Sequence, residues 1–137
     1  MNDLASVESI LGLIMSIIFG AIIGFEREIT HKPAGLRTHM LVCLGSCLFT
    51  VISQEFGMDP ARVAAGIVTG IGFIGAGTII AEQGKVVGIT TASSLWVTAA
   101  IGLTIGVGHY LLAAVSTLLV FLILTSKIIF KKFSVNL

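Results

Sequence analysis

Glu26, Arg27 and Glu28 stand together at the end of an otherwise apolar run. Pro33, Gly35, Arg37, Thr38 and His39 follow at once and lead into a second apolar run. Two kinds of chemistry are open to such a set. Carboxylates at this spacing can hold a hard cation such as magnesium, which takes one or two carboxylates and keeps several waters. Alternatively, a guanidinium flanked by carboxylates forms an ion pair, ideally bidentate, and anchors helix ends. Ionisable groups beside hydrocarbon-seeking sequence are costly, so either a structural or a functional reason must hold them there. Glu82 and Lys85 extend the set from a neighbouring connection, while Glu55 and Asp59 form a thinner acidic set elsewhere.

Other reactive residues do not form a recognisable catalytic pattern. Ser93, Ser94 and Cys43 are candidate nucleophiles and His39 a candidate base, but no Gly-x-Ser-x-Gly or HExxH spacing connects them. The stretch Gly70-Ile71-Gly72-Phe73-Ile74-Gly75 matches GxGxxG literally. That fingerprint needs a strand before it and a helix opening within it, and here it sits inside an apolar span. Cys43 and Cys47, four apart on one helix face, read as buried structural thiols, because a metal pair would need further soft ligands. The chain is therefore read as a non-enzyme with no resident cofactor; magnesium is the one ion its carboxylates would suit, and its metal ligands are left open.

The elements that position these residues are long and apolar. Of 137 residues, 55% are hydrophobic and 11% charged, with a mean hydropathy of +1.07. That balance excludes disorder and an ordinary soluble domain. The fold class is all-α: one transmembrane domain over residues 1–137, with helices at about 4–30, 36–53, 61–81, 90–105 and 110–129. A span takes about 20 helical residues, so five fit. Acidic Asp3 and Glu8 stand at the start of the first apolar run in place of a basic segment, so it does not read as a cleaved signal peptide. Arg27, Lys32, Arg37, Lys85, Lys127, Lys131 and Lys132 all fall on one side of this arrangement, and only Arg62 on the other. The positive-inside rule then places the N-terminus outside and the C-terminus in the cytoplasm. His31 and His39 are expected at the interface and His109 in an outer turn.

Small residues supply the packing signal. Gly12, Ser16, Gly20 and Gly24 recur every four residues in helix 1, a spacing that lets membrane helices approach closely. At about 100° per residue, Arg27 continues that stripe, with Glu26 and Glu28 to either side. Helix 3 carries Gly66, Gly70, Gly72, Gly75 and Gly77, and helix 4 places Ser94, Thr98 and Gly102 on one face. These helices are expected at the centre of the bundle, with bulkier helix 5 toward lipid.

Three blocks in order carry a resemblance. They are Gly24-Phe25-Glu26-Arg27-Glu28 with KPAGLRTHMLV from Lys32 to Val42, GIGFIGAGTI from Gly70 to Ile79, and GITTASSLWVTAAIG from Gly88 to Gly102. Together they resemble the signature of the MgtC/SapB membrane protein family, over about residues 10–125. The resemblance implies a bacterial inner-membrane protein linked to growth in low magnesium and, in some pathogens, to survival inside host cells. Two functions follow as expectations: a regulatory or accessory role toward other membrane proteins, or magnesium transport. Ending at Lys131–Leu137, the sequence reads as a short form without the soluble C-terminal domain of longer members. Expected partners are the lipid bilayer, other membrane proteins and a second copy of the chain, a homo-oligomer with a dimer favoured; no nucleic acid is expected.

Overall fold

The computed structural model describes residues 7–57, 59–82 and 84–134. Their order is α1 (Val7–Ile29), α2 (Leu36–Glu55), α3 (Pro60–Ala76), β1 (Ile80–Glu82), β2 (Lys85–Val87), α4 (Ile89–Gly106) and α5 (Tyr110–Ser134). The start expected near Leu4 lies outside the described residues. Among those described, α1, α2 over Leu36–Gln54, and α4 are long and apolar enough to cross a membrane. The apolar stretches Ala61–Ala76 of α3 and Tyr110–Ser126 of α5 are shorter. Thus all five expected helices are present, and among the described residues three of them combine the length and apolarity of a span.

Each chain reversal has a local cause. α1 ends in a Schellman closure: the N–H of Lys32 donates to the Arg27 carbonyl at 3.0 Å, and that of His31 to the Glu28 carbonyl at 3.0 Å. His31 takes the left-handed position with φ 52°, where glycine is usual. Asp59 caps α3, its Oδ1 accepting the Ala61 N–H at 3.0 Å, and Pro60 takes the first turn, where no N–H is needed.

Helix 3 does not continue to residue 81. It stops at Ala76, where Gly77 caps it and the Thr78 hydroxyl turns back to the Gly75 carbonyl at 2.7 Å. The β-branched residues that follow pair instead as an antiparallel hairpin, Ile80 opposite Val87, Ala81 opposite Val86 and Glu82 opposite Lys85. Gly88 then enters α4 with φ 94°. A Cβ there would overlap the Thr78 carbonyl, so only glycine closes the base of this hairpin.

Packing divides the bundle into two apolar clusters. Ile23, Cys43, Cys47, Ile101, Ile105, Ala113 and Leu124 join α1, α2, α4 and α5. Ala34, Ile71, Leu95 and Ala99 join the first connection to α3 and α4. Around them α1, α2 and α4 meet backbone to backbone: a Cβ at Gly20 would lie 2.7 Å from the His39 carbonyl oxygen, and one at Gly102 would overlap the Cys43 carbonyl. By contrast, α3 lies at the edge of the bundle, not at its centre. Among the described residues nothing lies within 4 Å of where a Cβ would stand at Gly66, Gly70 or Gly72, and Phe73 is 86% exposed. α5 turns Leu111, Leu118 and Ile123 outward.

Candidate functional site

The four-residue stripe of α1 (Gly12, Ser16, Gly20 and Gly24) is buried, and so are the two residues beyond it, Glu26 and Arg27. Arg27 is 3% exposed and Glu26 2%. Arg27 Nη1 lies 3.4 Å from Glu26 Oε2, and its Nη2 donates to Thr91 Oγ1 of α4 at 3.3 Å. Its Nε is buried without a hydrogen-bond partner. The bidentate carboxylate that suits arginine is therefore absent; the pair is adjacent in sequence, and neighbouring side chains cannot align fork to fork.

Glu28 does something different. Its Oε2 accepts the Leu36 N–H at 2.8 Å, so the carboxylate caps α2 from eight residues upstream. A side chain at Gly35 would overlap that carboxylate, which explains the glycine where a capping residue would normally stand. Pro33, Arg37 and Lys32 are exposed on the connection, Thr38 is half-buried, and Ala34 is buried in the second cluster.

His39 is the main departure from expectation. Instead of standing at the interface like exposed His31, it is fully buried. The α2 backbone carries its ring against the start of α4, where Ser94 is also buried. His39 Nδ1 lies 2.9 Å from the Gly35 carbonyl, so that nitrogen carries a proton and donates. Nε2 lies 3.0 Å from Ser94 Oγ, and the Ser94 hydroxyl is also 2.8 Å from the Thr91 carbonyl. One hydroxyl proton faces two acceptors. With a neutral imidazole, Ser94 donates to Nε2; with an imidazolium, Nε2–H donates to Ser94 and the hydroxyl turns to Thr91.

The sequence suggested no nucleophile and base in mutual reach, and this pair corrects that. The four-residue turn geometry within each helix is readable, but 55 residues separate the two partners. The pair is nevertheless not displayed as in a hydrolase. Ser94 is 2% exposed and His39 0%, so no acyl group can approach the hydroxyl in this arrangement. What it does is join α2 to α4, next to the point where Arg27 joins α1 to α4.

Ser94, Thr98 and Gly102 lie buried on one face of α4. Thr98 and Thr50 direct their hydroxyls to carbonyls four residues back, and Ser16 to one three back. These groups are satisfied within their own helices and do not form a continuous polar path. Cys43 and Cys47 are free, buried thiols. Gly75 of α3 is buried facing Ala92, which a Cβ at that position would meet at 3.5 Å, and Gly77 is the exposed cap of that helix. Among the described residues no three His, Cys, Asp or Glu side chains converge as metal ligands. Asp59 is committed to capping α3. The side chains of Glu55, Glu82, Lys127, Lys131 and Lys132 lie outside the described residues.

Comparison with known proteins agrees with this reading of the sequence blocks. The sequence model of the MgtC family matches residues 13–133. The chain is 44% identical over 129 residues to "Putative magnesium transporter YhiD" of Escherichia coli K12, covering 87% of this chain and 60% of that protein. It is 47% identical over 107 residues to "Protein MgtC" of Brucella abortus, covering 77% of this chain and 45% of the relative. Against "Protein MgtC" of Salmonella typhimurium the identity is 43% over 112 residues, 81% of this chain and 48% of the relative. The chain thus spans about half the length of the curated relatives it matches. No solved structure matches it.

Proposed function

The chain belongs to the MgtC family, and we propose that it is a regulatory or accessory protein of the bacterial inner membrane, active in adaptation to magnesium limitation. In this reading all five helices cross the membrane, the N-terminus faces outward and the C-terminus faces the cytoplasm. The charged motif then lies at the cytoplasmic face, where Arg27 ties α1 to α4 and Glu28 ties α1 to α2, beside exposed Lys32 of the connection and Arg37 at the start of α2. That exposed connection is the surface offered to another membrane protein.

The observation that carries this reading is the inward turn of the charged motif. Glu26 is buried against Arg27 and Glu28 caps α2, so both carboxylates are engaged in structure. Neither is presented to an ion lane, and the backbones of α1, α2 and α4 close the space between them. A translocation path would call for polar groups turned toward it at mid-membrane.

Transport of magnesium is the second reading, favoured by the name of the E. coli relative. It would place the path between chains, because α1, α2 and α4 approach one another closely within one. Self-association of the chain belongs to either reading, and helix packing through small residues supports it. An enzymatic role has less support: none of the three relatives described carries an enzyme's name.

Reconstitution tests the choice. Purified protein in liposomes loaded with a magnesium-sensitive dye is expected to show no flux above protein-free vesicles. Magnesium flux that disappears in Glu26→Gln or Glu28→Gln would overturn the regulatory reading in favour of transport.

A further inference from the structure

We propose that the β1–β2 hairpin is a lipid-contacting element, seated in the interface of the host bilayer with Lys85 at anionic headgroups. Its position comes first. The hairpin begins at Ile80, four residues after the end of α3 at Ala76, and leads into α4 at Ile89; two residues later Thr91 meets Arg27. It therefore sits at the charged end of the bundle, beside the connection that exposes His31, Lys32 and Arg37.

The hairpin is built, not a slack loop. Gly88 closes its base against Thr78, and the strands pair in a fixed register. Directly opposed residues share a face, so Ile80 and Val87 lie on one side and Ala81 and Val86 on the other. Ile80 is 54% exposed, and Val86 and Val87 are each 55% exposed. A hairpin in water would turn a polar face outward; this one has an apolar pair on each face, and its one charged pair, Glu82 opposite Lys85, stands at the turn. An isolated two-stranded hairpin is also marginal in water, so something must cover it.

Two constraints bound its depth. The outer edges of a two-stranded sheet carry unpaired N–H and C=O groups, each costing several kcal/mol in hydrocarbon, so the hairpin cannot enter the bilayer core. At the interface, water and headgroups supply the missing partners. Meanwhile α3 has 17 residues, about 25 Å of helix against about 30 Å of hydrocarbon. An apolar hairpin at its end continues the apolar surface to the boundary. Lys85 at the turn, with Lys32 and Arg37 at the same end, complements anionic lipid.

The test uses the full chain with its single tryptophan moved. In a Trp96→Phe background, Val86→Trp reports from the hairpin, and Ile80→Trp serves if the first variant fails to fold by circular dichroism. Both are reconstituted in phosphatidylethanolamine–phosphatidylglycerol vesicles. The expected result is blue-shifted emission, quenched most by lipids brominated high on the acyl chain and shielded from iodide. Lys85→Glu is expected to raise iodide quenching in these vesicles and not in phosphatidylcholine. Full iodide quenching without bromolipid quenching would place the hairpin in water. Shielding from both quenchers would place a protein on it, a second copy if the shielding fades as the protein is diluted in lipid. Either result overturns the proposal, as would a Lys85→Glu effect of equal size in neutral lipid.

Discussion

Arg27 Nη2 donates to Thr91 Oγ1 across 3.3 Å, tying the last turn of α1 to the first turn of α4. With Glu26 as its only charged contact among the described residues, the guanidinium is a buried ion whose removal strands a carboxylate. Breaking a buried pair from one side costs about 3–5 kcal/mol. Arg27→Ala should therefore lose most folded protein in detergent extracts, whereas Lys32→Ala on the exposed connection should stay within about 0.5 kcal/mol. Arg27→Lys keeps the charge but not the fork, and should fall between them. Chemical unfolding of the three variants, scored against wild type, checks the order.

Ser94→Ala removes the only side-chain partner of His39 Nε2 among the described residues and leaves a fully buried ring nitrogen unpaired. The expected loss is about 1–3 kcal/mol. Ring nitrogen chemical shifts of His39 supply a separate readout: Nε2 should change between wild type and variant while Nδ1, held by the Gly35 carbonyl, should not. Unchanged shifts at both nitrogens would show that Ser94 does not engage the ring.

His31 gives a prediction of opposite sign. It occupies the left-handed position of the α1 closure with φ 52°, a conformation that costs a non-glycine residue about 1–2 kcal/mol. Its side chain is exposed, so His31→Gly should raise the melting temperature, although glycine's greater freedom when unfolded offsets part of the gain. Gly88→Ala, with φ 94° and the Thr78 carbonyl in the way, should lower it.

Two glycines of similar appearance in the sequence should behave differently. At Gly102 a Cβ overlaps the Cys43 carbonyl, so Gly102→Ala must push α4 from α2 and is expected to cost at least about 1–3 kcal/mol. At Gly70 nothing lies within 4 Å. Gly70→Ala should be neutral or stabilising by up to about 1 kcal/mol in dilute detergent, from helix propensity alone. Paired thermal unfolding curves distinguish the two sites.

That contrast also marks what the sequence could convey. The four-residue spacing of Gly12, Ser16, Gly20 and Gly24 defines a helix face and fixes Arg27 on its extension, because helical geometry is local. Charge and hydropathy likewise locate five apolar segments. Which neighbour receives each face is not local, so the glycines of α3 look equivalent to those of α1 although one set is buried and the other mostly open. The hairpin was hidden for a related reason: Ile79 and Ile80 read as the continuation of helix 3, and Val86 and Val87 as part of the connection to helix 4, until their pairing is known. The His39–Ser94 contact had no signal in spacing at all. Only the start of α2 closing on the start of α4 creates it.

In the proposed function the Glu26 carboxylate is an internal structural partner and not a magnesium ligand. A ligand that binds only the folded state stabilises it in proportion to the logarithm of its concentration. Thermal unfolding of wild type and Glu26→Gln, each without and with saturating magnesium, therefore separates the two roles directly. The account predicts that Glu26→Gln lowers the melting temperature by the same amount under both conditions. A magnesium-induced rise in wild type that Glu26→Gln abolishes would contradict it.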